Sequence, residues 1–466
     1  MKISNPKIVV SEYPPKDIKS LWLCKGELKA YVNGKWETVS GGQGGDNEDS
    51  NNGDSNNGDS NKPSFNTKYT GHADAEGLRA IGWTDEDIAY YQENGVNWNE
   101  EDDEYHKVSE DNKALYGVLT ADNIQDYKDR IVYLPKIDTS RVTSMYYMFN
   151  ACYSLVAIPQ LDTSEVTDMS SMFYSCYSLT SIPQLDTSKV TDMGGMFNSC
   201  YSLVSIPQLD TSRVTIMSNM FNSCYSLVTI PQLDTSEVTS MGTMFQKCYS
   251  LVSIPQLNTS SVTVMSNMFS YCYSLASIPQ LDTANVTIIS QMFNSCSSLV
   301  TIPQLDTSEV KNMGGMFSGC YSLVAIPQLD TSRVTDMSKM FYSCYSLTSI
   351  PQLNTSKVTT MSNMFSSCYS LVSIPQLDTS KVTTMSGMFY CCCSLTSVSL
   401  KNVRDTFELS YSVLLSKESL LYLINNEAAT SARTIALHSY AYSRLAEDAD
   451  VVAALTNHPN ISLASA

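Results

Sequence analysis

One line of residues recurs through the middle of the chain: Ser-Leu-x-x-Ile-Pro-Gln-Leu-Asp-Thr-Ser-x-Val-Thr-x-Met-x-x-Met-Phe-x-x-Cys-Tyr. Its cysteine stands at Cys152, Cys176, Cys200, Cys224, Cys248, Cys272, Cys296, Cys320, Cys344, Cys368 and Cys392, always 24 residues on. A fixed period of this length is the mark of a solenoid. One unit cannot bury its own apolar side, so neighbours stack and share a continuous core.

Spacing assigns the parts of a unit. Val166, Met169, Met172 and Phe173 lie at i, i+3, i+6 and i+7, which predicts one face of a short helix. Asp162, Thr163 and Ser164 precede it as N-cap residues should. Leu155, Ile158 and Leu161 form the other apolar set, in the rhythm of a leucine-rich-repeat strand. Pro159 has no amide hydrogen for a ladder, so the paired stretch must be short. The expected fold is an α/β solenoid, a right-handed leucine-rich-repeat-type coil of short parallel strands and short helices. Parallel strands stack about 4.8 Å apart, so the repeats make a rod roughly 50 Å long.

The net charge of −18 argues against a nucleic-acid partner, which needs a basic surface. The first residues, Met1 to Pro6, contain no apolar core of a signal peptide, and no stretch is long and apolar enough to insert into a membrane. Eleven of the fourteen cysteines belong to the repeat. Adjacent coils would bring them within disulfide range. The odd count and the tendency of free thiols to be buried instead favour a stack of reduced, inward thiols, with pairwise disulfides as the lesser alternative. The Cys391-Cys392-Cys393 run lacks the histidine or second spaced pair that a metal site requires.

Outside the repeat the chain divides into short segments. Residues 1–40 read as a β-meander with an Asn33-Gly34 hairpin turn, and as a docking module that gains stability on a larger partner. Residues 41–64, rich in Gly, Asn, Asp and Ser, read as a flexible linker. Their Asp-Ser-Asn-Asn-Gly motif misses the calcium-loop spacing, because the Gly is fifth and no closing Glu follows. Residues 65–133 read as a small helical N-terminal cap, with helices at Ala75 to Ala80 and Thr84 to Glu93. The acidic run Glu100 to Glu104 is taken as a solvated loop. The solenoid spans 134–400, and 401–466 form an α/β C-terminal cap: helix from Ser416 to Asn425, strand from Thr434 to His438, helix from Ser439 to Thr456, strand from Ile461 to Ser465.

Identical residues in successive coils form rows. The candidate ligand-binding ladder is the row Tyr153, Tyr177, Tyr201, Tyr225, Tyr249, Tyr273, Tyr321, Tyr345 and Tyr369, interrupted by Ser297 and ended by Cys393. Aromatic rows suit stacking on sugar rings, but they also stabilise by packing on each other, which is the favoured account. Gln160 to Gln376 form an amide row at a coil corner. The Asp row, with Asn258 and Asn354 among its members, is read as capping rather than calcium ligation, since Asn caps equally well but neutralises no charge. Met fills two core positions in almost every coil, with Ile289 the exception. The four histidines, His72, His106, His438 and His458, lie outside the repeat and stand in no recognisable relation to a nucleophile. Neither catalysis nor a cofactor nor a metal is expected.

The Met-Phe-x-x-Cys-x-x-Leu-x-x-Ile-Pro and Asp-Thr-Ser-x-Val-Thr-x-Met motifs, over roughly residues 130–400, resemble the BspA-like leucine-rich-repeat surface proteins. That resemblance implies a non-enzymatic binding or adhesion role at a surface, as in gut and oral bacteria and their phages. Leu21-Trp22-Leu23, Gly26 to Tyr31 and Asn33 to Trp36 are similar to N-terminal segments of virion proteins of Bacteroidales phages. The implied role is a phage fibre or virion appendage, assembled in the host cytoplasm. Residues 1–40 would bind virion structural proteins, and the rod would meet a host cell-surface protein or glycan and be open to oligomerisation. A bacterial cell-surface adhesin and a ligand-free spacer are the alternatives.

Overall fold

The computed structural model describes residues 139–403, 407–426 and 432–466, and outside these six strands: β1 (Ile8–Val10), β2 (Leu21–Cys24), β3 (Glu27–Val32), β4 (Lys35–Thr38), β5 (Val96–Asn99) and β6 (Glu104–Lys107). The chain divides into two compact units, Met1–Ser60 and Asn61–Ala466.

In the first unit the strands lie in the order β1-β2-β3-β4. The β2–β3 and β3–β4 pairs are antiparallel, with Val32 opposite Lys35 across the Asn-Gly pair. The β1–β2 pair is parallel, so the sheet is not a pure meander. In the second unit β5 and β6 form an antiparallel pair with Asn99 opposite Glu104. The acidic run expected to be all loop therefore ends inside a strand. The helices expected at Ala75 to Ala80 and Thr84 to Glu93 lie outside the described residues, as does the 41–64 tract.

Residues 139–403 wind into a solenoid whose core is laid down once per coil. Val166, Met169, Met172, Phe173, Cys176, Leu179, Ile182 and Leu185 are all buried, and their equivalents repeat the pattern. Eleven phenylalanines from Phe149 to Phe389 stack in one column with centroids 5.4–6.1 Å apart. The repeat cysteines are buried free thiols. Each from Cys176 onward donates to the phenylalanine carbonyl of the preceding coil, as Cys176 does to Phe149 at 3.0 Å and Cys200 to Phe173 at 3.2 Å.

Two details of the repeat depart from expectation. The Met-x-x-Met-Phe-x-x-Cys segment is a run of tight turns, not a helix. The amides of Met169, Ser171, Phe173 and Ser175 donate to Asp192, Gly194, Met196 and Asn198 of the next coil, while those of Met172, Tyr174 and Cys176 donate three residues back. Ser171 and Ser175 have φ of 54° and 61°, the left-handed region that interrupts a helix. The reason is thickness: a helix is about 10 Å across, whereas hydrogen-bonded coils must follow each other at roughly 4.8 Å. Pairing between coils within Leu155 to Leu161 is limited to a single backbone bond, as from the Thr180 amide to the Val156 carbonyl at 3.1 Å, and a second pairing line lies elsewhere. Parallel bridges run through Ser144, Asp168, Asp192, Ile216, Ser240, Val264 and Ile288, and again from Asn312 to Thr384, beside the first Met of each unit. Only in the last coil does the Ile-Pro-Gln-Leu stretch become a strand, β7 (Ser373–Asp378), parallel to β8 (Ser397–Lys401).

The C-terminal segment closes the core. Strands β9 (Phe407–Leu409), β10 (Arg433–Leu437) and β11 (Ile461–Ser465) form a parallel sheet in the order β11-β10-β9. Helix α1 (Lys417–Asn425) follows β9 in the chain, and α2 (Ser439–Leu445) and α3 (Ala449–Asn457) link β10 to β11. The single helix expected from Ser439 to Thr456 is thus two, the second opened by Asp448, which accepts from the Asp450 and Val451 amides. Phe407 meets Phe389 edge-on at 6.3 Å, ending the phenylalanine column.

Candidate ligand-binding surface

The outside of the rod separates into rows that serve the frame and rows that are free to vary. Three polar rows belong to the frame. At the Pro-Gln corner, where proline brings no amide hydrogen, the side chain supplies the donor: Gln160 Nε2 donates to the Gln184 carbonyl at 2.6 Å and to Leu161 at 3.2 Å. The same pair of bonds recurs to Gln352, and Gln376 ends the row on the Tyr422 hydroxyl. The row is thus amide-to-backbone, not amide-to-amide. The buried Thr163 hydroxyl donates to the Asp186 carbonyl of the next coil at 2.8 Å.

The Asp row caps turns, since no helix follows it. Asp162 Oδ1 accepts from the Ser164 amide at 3.1 Å and hydroxyl at 2.7 Å. Asn258 and Asn354 accept the same pair of bonds from Ser260 and Ser356. Donation by serine holds the carboxyls of Asp186, Asp210, Asp234, Asp306 and Asp330 below their ordinary range. Among the described residues no group of three or more His, Cys, Asp and Glu could hold a metal.

The tyrosine row stacks on itself. Successive rings from Tyr153 to Tyr273 lie 4.4–5.0 Å apart, and Tyr321, Tyr345 and Tyr369 continue at 4.6 and 4.9 Å. Burial, and then the neighbouring hydroxyls, push the Tyr249 phenol up to about 12. Ring faces within a run are therefore covered by other rings, leaving edges and hydroxyls to solvent. The row is not the continuous stacking platform that a polysaccharide would need.

The variable rows lie on the turn segment. The bridge row carries Asp168 and Asp192, then Ile216, Ser240, Val264 and Ile288, then Asn312 and Asp336. Ile216, Val264 and Ile288 make its middle mostly apolar, with Ile216 and Ile288 exposed; Asp168, Asp192 and Asp336 lie to either side, and Ser144, Thr360 and Thr384 end the row uncharged. Beside it, paired glycines open two polar clefts. One of about 380 Å³ forms at Gly194 and Gly195 with Asp192, Tyr174 and Asn198, and one of about 450 Å³ at Gly314 and Gly315 with Asp336, Lys339 and Tyr342. Sequence reasoning missed this face. The available signal was that the residue before the first Met changes in kind from coil to coil, while the Gln and Thr rows hardly change.

Among curated proteins there is no match. Solved structures similar to this chain include a leucine-rich cell-surface protein of Faecalibacterium prausnitzii (23% identity, 54% of this chain and 80% of that one, TM-score 0.30). A leucine-rich-repeat protein of T. pallidum is 26% identical over 41% of this chain and 77% of its own, with TM-score 0.27. An internalin of Listeria monocytogenes is 12% identical over 74% and 93%, with TM-score 0.24. The family model described as "Mycoplasma protein of unknown function, DUF285" matches residues 122–230, 200–299, 226–325, 276–367 and 322–413. These matches overlap without a break from 122 to 413, more than half of the chain, and the protein belongs to the DUF285 family.

Proposed function

We propose that the protein is a non-enzymatic surface-recognition rod, carried as a phage fibre or virion appendage, that binds a host cell-surface protein or glycan. The observation that carries this reading is the contrast between rows. Where side chains hold coil to coil they barely change, whereas the bridge row and its neighbours change in kind while facing solvent. A spacer alone has no use for that difference. In this reading residues 1–40 bind virion structural proteins, the 41–64 tract tethers, and the solenoid presents its variable face. The separate N-terminal unit and its small sheet support an anchoring role, and the resemblance to BspA-like surface proteins supports adhesion.

The test uses the full chain, fluorescently labelled, on a panel of gut bacteria. Saturable binding is expected, and Ile216→Asp with Ile288→Asp should abolish it while Asp210→Asn leaves it intact. No binding to any cell, or binding indifferent to the variable face, contradicts the recognition reading. Mass spectrometry of purified phage particles tests the carrier. Finding the chain in a bacterial envelope fraction instead would replace the virion with a bacterial cell-surface adhesin.

A further inference from the structure

The tyrosine stack is missing one ring, and the frame around the gap is intact. Ser297 occupies the position between Tyr273 and Tyr321. The backbone of the row runs through without interruption: the Ser298 amide donates to the Tyr273 carbonyl and the Ser322 amide to the Ser297 carbonyl, both at 3.2 Å. The bonds from Ser226 to Tyr201 and from Ser250 to Tyr225 have the same length, so the coils keep their pitch and only a side chain is absent. Ser297 Oγ donates to the Tyr273 carbonyl at 3.2 Å, so no ring stands in the row between Tyr273 and Tyr321.

Both walls are held. Tyr273 stacks on Tyr249 at 5.0 Å and meets Tyr271 edge-on at 6.2 Å and 87°. Tyr321 stacks on Tyr345 at 4.6 Å with rings 5° from parallel. The phenol of Tyr321 is raised by burial and then by Tyr345 and Tyr273, its two neighbours in the row. Tyr273 and Tyr321 are 42% and 45% exposed, more than the rings inside the runs, because each has one uncovered face.

We propose that this gap is a binding slot for one neutral pyranose ring of gluco configuration, sandwiched between Tyr273 and Tyr321. The width is about twice the ordinary step of 4.4–5.0 Å, which admits one ring with a stacking contact on each side. A pyranose chair whose axial positions carry only hydrogen turns C–H groups to both tyrosine faces. Its equatorial hydroxyls then point outward to the tyrosine hydroxyls and to solvent. An axial hydroxyl, as at C4 of galactose, would press a polar group onto one wall. No charged side chain occupies the rows beside the slot at Asn294, Ser295, Ser318 and Gly319, which fits an uncharged sugar. Specificity here comes from one missing ring, which is why the uniform row could be uniform and still select.

This goes beyond the recognition reading by adding a sugar site on a row other than the variable face, and the two can fail separately. The probe is methyl β-D-glucopyranoside with the full chain, followed by saturation-transfer NMR. Methyl β-D-galactopyranoside and p-cresol serve as controls. Wild type should saturate the ring C–H protons of the glucoside, and the galactoside should bind more weakly. Ser297→Tyr, which restores the repeat residue and therefore keeps the fold, should weaken the glucoside signal by about tenfold or more. Tyr273→Ala should weaken it while leaving the melting curve cooperative. No signal in wild type, an equal signal in Ser297→Tyr, or uptake of p-cresol alone overturns the slot. Cell binding that persists without glucoside uptake removes the slot and leaves the recognition reading standing. Glucoside uptake without cell binding does the reverse.

Discussion

The thiol of Cys272 donates to the carbonyl of Phe245, one coil earlier, at 3.0 Å. The bond spends the one polar hydrogen of a small apolar side chain on a carbonyl that faces the core. It recurs in every coil from Cys176 to Cys392. Cysteine is thereby both the filler and the satisfier of its position, which explains why neither serine nor alanine takes the place.

Alkaline pH should melt the rod steeply. Burial pushes these thiols well above their ordinary value, with Cys392, near the end, up to about 12. A thiol whose folded pKa exceeds its unfolded one stabilises the native state fully below the unfolded value, and that stabilisation is lost as pH rises through the folded one. Melting temperature in reducing buffer should therefore hold near neutrality and collapse between about pH 9 and 12. A flat profile across that window would mean the thiols already titrate as if exposed.

At the Pro-Gln corner, Gln256→Ala should cost about 1 kcal/mol, because the Gln280 carbonyl loses its donor. Gln256→Glu should cost more at neutral pH, since a carboxylate would face the carbonyls of Leu257 and Gln280. Acid should narrow the difference once the carboxyl is protonated, below about pH 4. Urea unfolding of both variants at two pH values measures it.

Asp210 accepts from the Ser212 amide and hydroxyl, bonds that asparagine already accepts at two other coils. Asp210→Asn should be neutral within about 0.5 kcal/mol, and Asp210→Ala should cost about 1 kcal/mol. The Asp210 carboxyl is held low, so its contribution is present above the unfolded value and lost as pH falls through the folded one. Asp210→Asn should remove that part of the acid sensitivity, which melts at neutral and acidic pH will show.

What the sequence disclosed and what it hid have the same cause. A strict period puts every copy of a residue in one environment, so the coil, the burial of Met169, Phe173 and Cys176 and the interchange of Asp with Asn were all legible. Local geometry was not. A spacing of i, i+3, i+7 describes successive tight turns as well as it describes a helix, because both return a side chain to the same side. The discriminating residues were Gly195, Asn219, Asn267, Gly315, Asn363 and Gly387, which take the position of Ser171 and favour positive φ. The tyrosine row was visible as a row. Its packing on itself and its break at Ser297 could be expected too; the ring spacing and tilt could not.

Native-state thiol labelling tests the continuous core most directly. Alkylation of the folded protein, read by intact mass, should add at most three labels, confined to Cys24, Cys391 and Cys393, and all fourteen cysteines should react in denaturant. Rapid labelling of Cys224, Cys272 or Cys320 in the native protein would contradict the account, because a thiol reached by reagent cannot line an unbroken core.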